Sequence, residues 1–259
     1  MARIVSCMIA FYLALATSTL AAAPQAPAAP ARQTSDPWAT ADPDALYGQR
    51  ADIVKAKQAA EVWARRSAAG KDFDAAWKLA RACYYLGTLG PKDEQDYQLD
   101  RGVTAGQQAA ALGPKTPEGH FWYAANMGEK AQRGSMFTGL KYKTSIRTEL
   151  ESVIAIQAGW QDGSAESALG EWYLKVPGFA GGDHDKGVAL LRKALTYNPE
   201  SSHVRYSLAE ALGDDSKTRP EAKTLLQQVI DAPIDPNWAA EDQSYKQKSK
   251  DLLDKLNKK

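Results

Sequence analysis

One spacing recurs along this chain and limits what it can become. Leu169, Gly170 and Tyr173 form a Leu-Gly-x-x-Tyr signature, and Leu208, Ala209 and Leu212 repeat its large-small-x-x-large order. Tyr123, Ala124 and Met127 match it, and Trp77, Ala80 and Tyr84 are a looser copy. A second pattern accompanies the first. Gly102 stands twelve residues before Pro114 with Ala109 between them, and Gly187 stands twelve before Pro199 with Leu191 and Ala194 between them. Ala222, Leu226 and Val229 repeat it ahead of Ile234. A small residue on each of two antiparallel helices lets them approach closely, large neighbours fill the space around them, and Gly or Pro stops each helix. From Ala51 onward apolar residues recur at three and four positions without sustained alternation. The spacing predicts an all-α chain of four degenerate helix pairs over Lys71 to Pro236. A leading helix (Ala51 to Ala69) and a trailing one (Ala239 to Leu256) cap the ends.

This pattern resembles the tetratricopeptide repeat, a helical hairpin that stacks into a solenoid. The loop Gly178-Phe-Ala-Gly-Gly-Asp183 could also be read as a phosphate cradle. A phosphate loop needs a strand before it and a Gly-Lys-Ser/Thr ending. Here the preceding residues read as helix and the ending is missing. The loop is expected to be the bend inside a helix pair, with Asp183 capping the next helix.

The 32 Lys and Arg nearly balance 31 Asp and Glu, so no net charge steers the chain to nucleic acid. Arg3 precedes an apolar run, Ile4 to Ala16, of the length of a secretory signal core, and Thr19, Ala21, Ala22 and Ala23 follow. Cleavage is expected after Ala21 or Ala22, because Pro24 opposes cutting after Ala23. The expected organisation is a signal peptide at 1–23, an Ala/Pro-rich tether at 24–45 and a helical repeat domain at 46–259, exported to the periplasm. Cys7 lies inside the apolar run and cannot carry a lipid anchor. Cys83, beside Tyr84 and Tyr85, is then the remaining thiol and is expected to be buried and inert.

Catalytic groupings are sparse. The chain has three His and lacks HExxH, CxxC and EF-hand patterns, and it offers no cofactor motif. Asp183, His184 and Asp185 are the best residues for a metal-dependent hydrolase, the alternative from a different class. Consecutive residues opening a helix point apart, however, so a capped, solvated start is the expected role. The Lys-rich tail, Lys246 to Lys259, reads as an amphipathic cap with a charged face.

Aromatic residues are the remaining signal. Phe121, Trp122 and Tyr123 are consecutive on one helix and cannot share a direction. Tyr123 is expected to pack inward with His120, and Tyr173 to be a buried core aromatic. In a solenoid of this type the groove-facing positions fall at Lys78 and Tyr85, Phe121 and Ala125, Glu171 and Leu174, and Tyr206 and Glu210, with Trp122 and Trp172 beside them. Such a surface suits an amphipathic ligand or a partner's helix.

The stretch from Leu169 to Leu212 also resembles the T-component family associated with TRAP transporters. The shared features are "LGxWY", the "P-x-x-x-GGD" bend, a helix with paired Leu and the "NP" that ends it. That resemblance implies a trimeric periplasmic scaffold that docks a solute-binding protein and offers an apolar passage for a hydrophobic ligand or lipid. A general adaptor for other envelope proteins is the alternative. "GHFWYA" (residues 119–124) also resembles the "HxWYA" of the regulator of microtubule dynamics family, a eukaryotic repeat relative linked to membranes and lipids.

Overall fold

The computed structural model describes residues 41–234 and 239–258. The expected signal segment, the tether as far as residue 40, and Pro236 lie outside the described residues. In chain order the helices are α1 (Pro43–Gly48), α2 (Ile53–Ser67), α3 (Phe73–Leu89), α4 (Gln95–Leu112), α5 (Pro117–Arg133) and α6 (Met136–Ile156). They continue with α7 (Trp160–Lys175), α8 (His184–Tyr197), α9 (Ser202–Leu212), α10 (Arg219–Asp231) and α11 (Ala239–Asn257). Among the described residues every regular element is helical, and the successive pairs α3–α4, α5–α6, α7–α8 and α9–α10 form a tetratricopeptide-repeat-like solenoid. None of these helices is long and apolar enough to cross a membrane.

Local chemistry sets the helix starts. The carboxylates of Asp42, Asp52, Asp72 and Asp183 and the hydroxyl of Ser201 accept hydrogen bonds from backbone N–H groups of the turns they open. Pro117 occupies a first turn, where its missing N–H costs nothing. The fold begins a few residues before the expected boundary. Residues 43–45 belong to α1, because Asp42 caps it and Tyr47 anchors it on Trp63 with ring centroids 5.5 Å apart.

The small residues do what their spacing requires. A Cβ on Gly170 would lie 3.0 Å from the Gly187 carbonyl oxygen, and one on Gly187 would lie 2.9 Å from that of Gly170, so α7 and α8 touch backbone to backbone. Gly102 makes room for Asn126, which is fully buried and donates from Nδ2 to the carbonyls of Ala80 at 3.0 Å and Trp122 at 2.7 Å. That amide ties α5 to α3 across two pairs. Three apolar clusters follow one another along the solenoid, around Trp63 and Leu86, around Met127 and Val153, and around Leu191 and Leu226. Cys83 is fully buried in the first, and burial pushes its thiol up to about 12.

The bend of α7–α8 is a 3-10 turn, Gly178–Ala180, followed by Gly181 in the left-handed region at φ 106°. The Asp183 N–H returns to the Tyr173 carbonyl at 2.9 Å, and the Asp183 carboxylate accepts from the Lys186 N–H at 3.1 Å. This fold-back corrects one expectation. Trp172, not Tyr173, is the core aromatic of α7: it is 7% exposed, whereas Tyr173 is half-buried. Gly181 lies against the Trp172 ring, with a Cβ there 3.5 Å from its Cη2, and the Arg147 guanidinium of α6 lies 5.6 Å from its centroid. Tyr123 is likewise half-buried, and its neighbour His120 is held by the Glu149 carboxylate of α6 at 2.5 Å.

Candidate groove of the solenoid

The first helices of the pairs share one concave face, which encloses a groove of about 2740 Å³. Tyr85 comes from α3, Phe121, Trp122 and Ala125 from α5, Glu171, Trp172 and Leu174 from α7, and Tyr206 and Glu210 from α9. The structure thus brings every groove position read from the sequence together except Lys78. The Lys78 ammonium is drawn away to the Asp44 carboxylate of α1, at 3.0 Å.

The floor is a run of aromatic rings. Tyr84 lies 5.7 Å from Trp122 and Trp122 lies 5.2 Å from Phe121, which is backed by the core residue Trp160 at 4.8 Å. Such tilted and edge-on contacts suit the ring quadrupoles. The indole N–H groups of Trp122 and Trp172 and the hydroxyl of Ser167 are buried without a hydrogen-bond partner. All three residues line the groove, but these polar atoms are shut away from it.

Glu171 is the polar centre. Its carboxylate accepts from His203 Nε2, from Ser207 Oγ at 3.0 Å and from Lys175 Nζ at 2.8 Å. Burial pushes its carboxyl up, but His203 and Lys175 outweigh that and hold it at about 2. Tyr245 of α11 stacks on both His203 and Tyr206, at 5.3 and 5.7 Å, and burial pushes its phenol up to about 12. Sequence reasoning assigned α11 to a solvated cap and missed Tyr245. The one available signal was a lone aromatic in a Lys-rich helix. It also missed Tyr47, Arg50 and Arg81 at the other end of the groove.

Helix α6 departs from the pattern of outward second helices. Gly139, Leu140, Lys143, Ile146 and Leu150 all line the groove. Near its start, a Cβ on Gly139 would meet only the Ala131 carbonyl oxygen of α5, at 3.9 Å. Lys143 Nζ then reaches the Ala180 carbonyl at 3.2 Å and joins α6 to the α7–α8 bend.

The candidate metal residues do not converge as a set, although His184 Nδ1 lies 3.6 Å from the Asp185 carboxylate. Asp183 caps α8, His184 Nε2 lies 3.0 Å from the Ala211 carbonyl, and the Asp185 side chain is fully exposed. Among the described residues no three His, Cys, Asp or Glu side chains are grouped to hold a metal ion.

Comparison with known proteins agrees with this architecture. Among solved structures, a thermophilic tetratricopeptide repeat protein of Thermus thermophilus is similar at a TM-score of 0.58 and 19% identity, covering 82% of this chain and 97% of that one. MamA residues 41 to the end, from Desulfovibrio magneticus RS-1, are similar at a TM-score of 0.49 and 21% identity, covering 73% and 96%. The chain has no match among curated proteins. The family model described as Regulator of microtubule dynamics protein 1-3 matches residues 42–179, from the cap of α1 to the α7–α8 bend and more than half of the chain. This chain therefore belongs to the regulator of microtubule dynamics protein 1-3 family.

Proposed function

We propose that the protein is a binding scaffold that holds an apolar segment of a partner protein in its concave groove. One observation carries this reading: helices from four successive pairs deliver aromatic and apolar side chains to a single continuous groove. Its volume of about 2740 Å³ is well beyond the ~300–1,000 Å³ of a small-molecule pocket. A helix about 10 Å across and some twenty residues long would fill much of it. The apolar N-terminal run supports export to the periplasm. The likeness of Leu169 to Leu212 to T-components supports an envelope partner such as a solute-binding protein, in a trimeric assembly.

The test is site-specific photocrosslinking in the native host. A photoreactive side chain at Glu210, in the groove, should trap a defined partner. The same group at Lys193 of α8, outside the groove, should not. Tyr206→Ala should reduce the Glu210 adduct while leaving the melting temperature within a few degrees. Equal trapping from both positions overturns the groove as the binding surface.

A further inference from the structure

At the N-terminal end of the groove two arginines approach the same Tyr47 ring, and neither is ion-paired among the described residues. The Arg81 guanidinium of α3 lies 4.3 Å from the Tyr47 ring centroid and 4.9 Å from that of Trp77. Arg50, just past α1, lies 5.3 Å from the Tyr47 ring and 5.8 Å from that of Tyr85. Rings take the faces of a guanidinium and leave its edge, where the N–H groups point, free for in-plane bonding. At Arg81 that edge is unused: Nε is buried and has no hydrogen-bond partner. Asp44, the acid of α1, is bound to Lys78 instead, and among the described residues neither Arg50 nor Arg81 forms an ion pair. Burial lowers the affinity of Arg81 for its proton more than Tyr47 and Asp44 restore it, and Arg50 adds a smaller push in the same direction as burial. Two like charges beside one ring, one of them partly desolvated, are costly unless an anion joins them. Both residues line the groove, so the anion they lack would come from its occupant.

We infer that Arg50 and Arg81, framed by Tyr47, Trp77 and Tyr85, form a carboxylate-binding subsite that fixes one end of the partner segment through an Asp, Glu or C-terminal carboxylate. The inference rests on the reading of the groove as a site for a protein segment. It adds polarity to that reading. The acidic end of the segment lies against α1 and α3, and the apolar part runs on over Trp122 and Phe121 toward Tyr206. A guanidinium edge accepts a carboxylate through two parallel hydrogen bonds, which a lysine ammonium cannot reproduce.

The experiment pans a library of random linear twelve-residue peptides against the full chain and measures the selected peptides by fluorescence anisotropy. The expected pool carries an acidic residue, or a free C-terminal carboxylate, beside an apolar stretch. Its binding should weaken roughly ten- to a hundred-fold on Arg81→Gln or Arg50→Gln. It should hold on Lys193→Gln, and Arg81→Lys should recover only part of the loss. Changing the peptide's acid to its amide should cost wild type as much and Arg81→Gln nothing more. Arg50 is not part of the core, so Arg50→Gln decides the matter if Arg81→Gln fails to fold. Groove-binding peptides with no acidic preference overturn this inference alone. A pool indifferent to Tyr206→Ala and to both arginine changes overturns the groove reading as well. Selective binding of phosphatidylglycerol vesicles through Arg81, with no acidic peptide selected, would overturn the peptide carboxylate in favour of a lipid phosphate.

Discussion

Glu171 of α7 accepts hydrogen bonds from both His203 and Ser207 of α9, so one carboxylate stitches two successive helix pairs together across the groove floor. Its carboxyl is held at about 2, below the ordinary 4.5. The unfolded chain takes up the proton first as pH falls. The stabilisation is therefore complete above about pH 4.5 and is lost progressively toward pH 2. A shift of this size in a side chain only 18% exposed corresponds to roughly 3 kcal/mol. Urea unfolding measured at steps between pH 6 and pH 2 should show a shallower loss of stability for Glu171→Gln than for wild type. Parallel pH profiles would show that the stitch contributes nothing.

Trp172 and Tyr173 should respond in the opposite order to their places in the repeat signature. Trp172→Ala empties a closed site and should cost about 3–5 kcal/mol. Tyr173 is half-buried beneath the Lys186 side chain, so Tyr173→Ala should cost roughly half as much or less. Thermal melts of the two variants settle the order.

The contact between α7 and α8 admits no side chain. A Cβ at Gly187 would stand 2.6 Å from Leu174 Cγ as well as against the Gly170 carbonyl. Gly187→Ala should destabilise by about 1–3 kcal/mol. Gly128 on α5 has nothing within 4 Å of its missing Cβ, so Gly128→Ala should instead stabilise by about 0.5–1 kcal/mol through helix propensity. Denaturant midpoints moving in the same direction for both would contradict this packing.

The start of α7 is wound the wrong way. Gln161, Asp162 and Gly163 hold positive φ values of 44°, 57° and 82°, a single left-handed turn at the groove wall. L-residues pay about 1–2 kcal/mol each for that conformation. Exposed Gln161→Gly should therefore raise stability by roughly 0.5–1 kcal/mol. Gly163→Ala should lower it, because the new methyl would also press on Ala194, 3.1 Å from its Cα. Calorimetry on the two variants should show opposite shifts of the melting temperature.

The helix pairs were legible because their causes are local. Gly170 and Gly187 mark a close approach, Asp183 marks a cap, and Pro114 and Pro199 mark stops, all readable at fixed spacing. The direction of an individual ring was less legible. Tyr173 fits the signature, yet the bend after α7 lays Gly181 against its neighbour Trp172, and no periodicity contains a fold-back. The second helix of the second pair, α6, matched no pattern, because its opening turns lean into the groove instead of packing small residue against small residue. The aromatic groove positions followed from the repeat geometry. Glu171 as a hub did not, because His203 and Ser207 lie more than thirty residues further along and meet it only in the stacked solenoid.

Helices α4 and α10 place no side chain in the groove. Thr104 on the first and Thr224 on the second are exposed. The molecule therefore has a side by which it can be handled. A single cysteine introduced at either threonine, with Cys7 changed to Ser and Cys83 shut away from solvent, gives a position for a dye, a bead or a sensor surface. Attachment there leaves the opposite face turned outward and unobstructed, so captured molecules and their release could be followed on one oriented layer of protein.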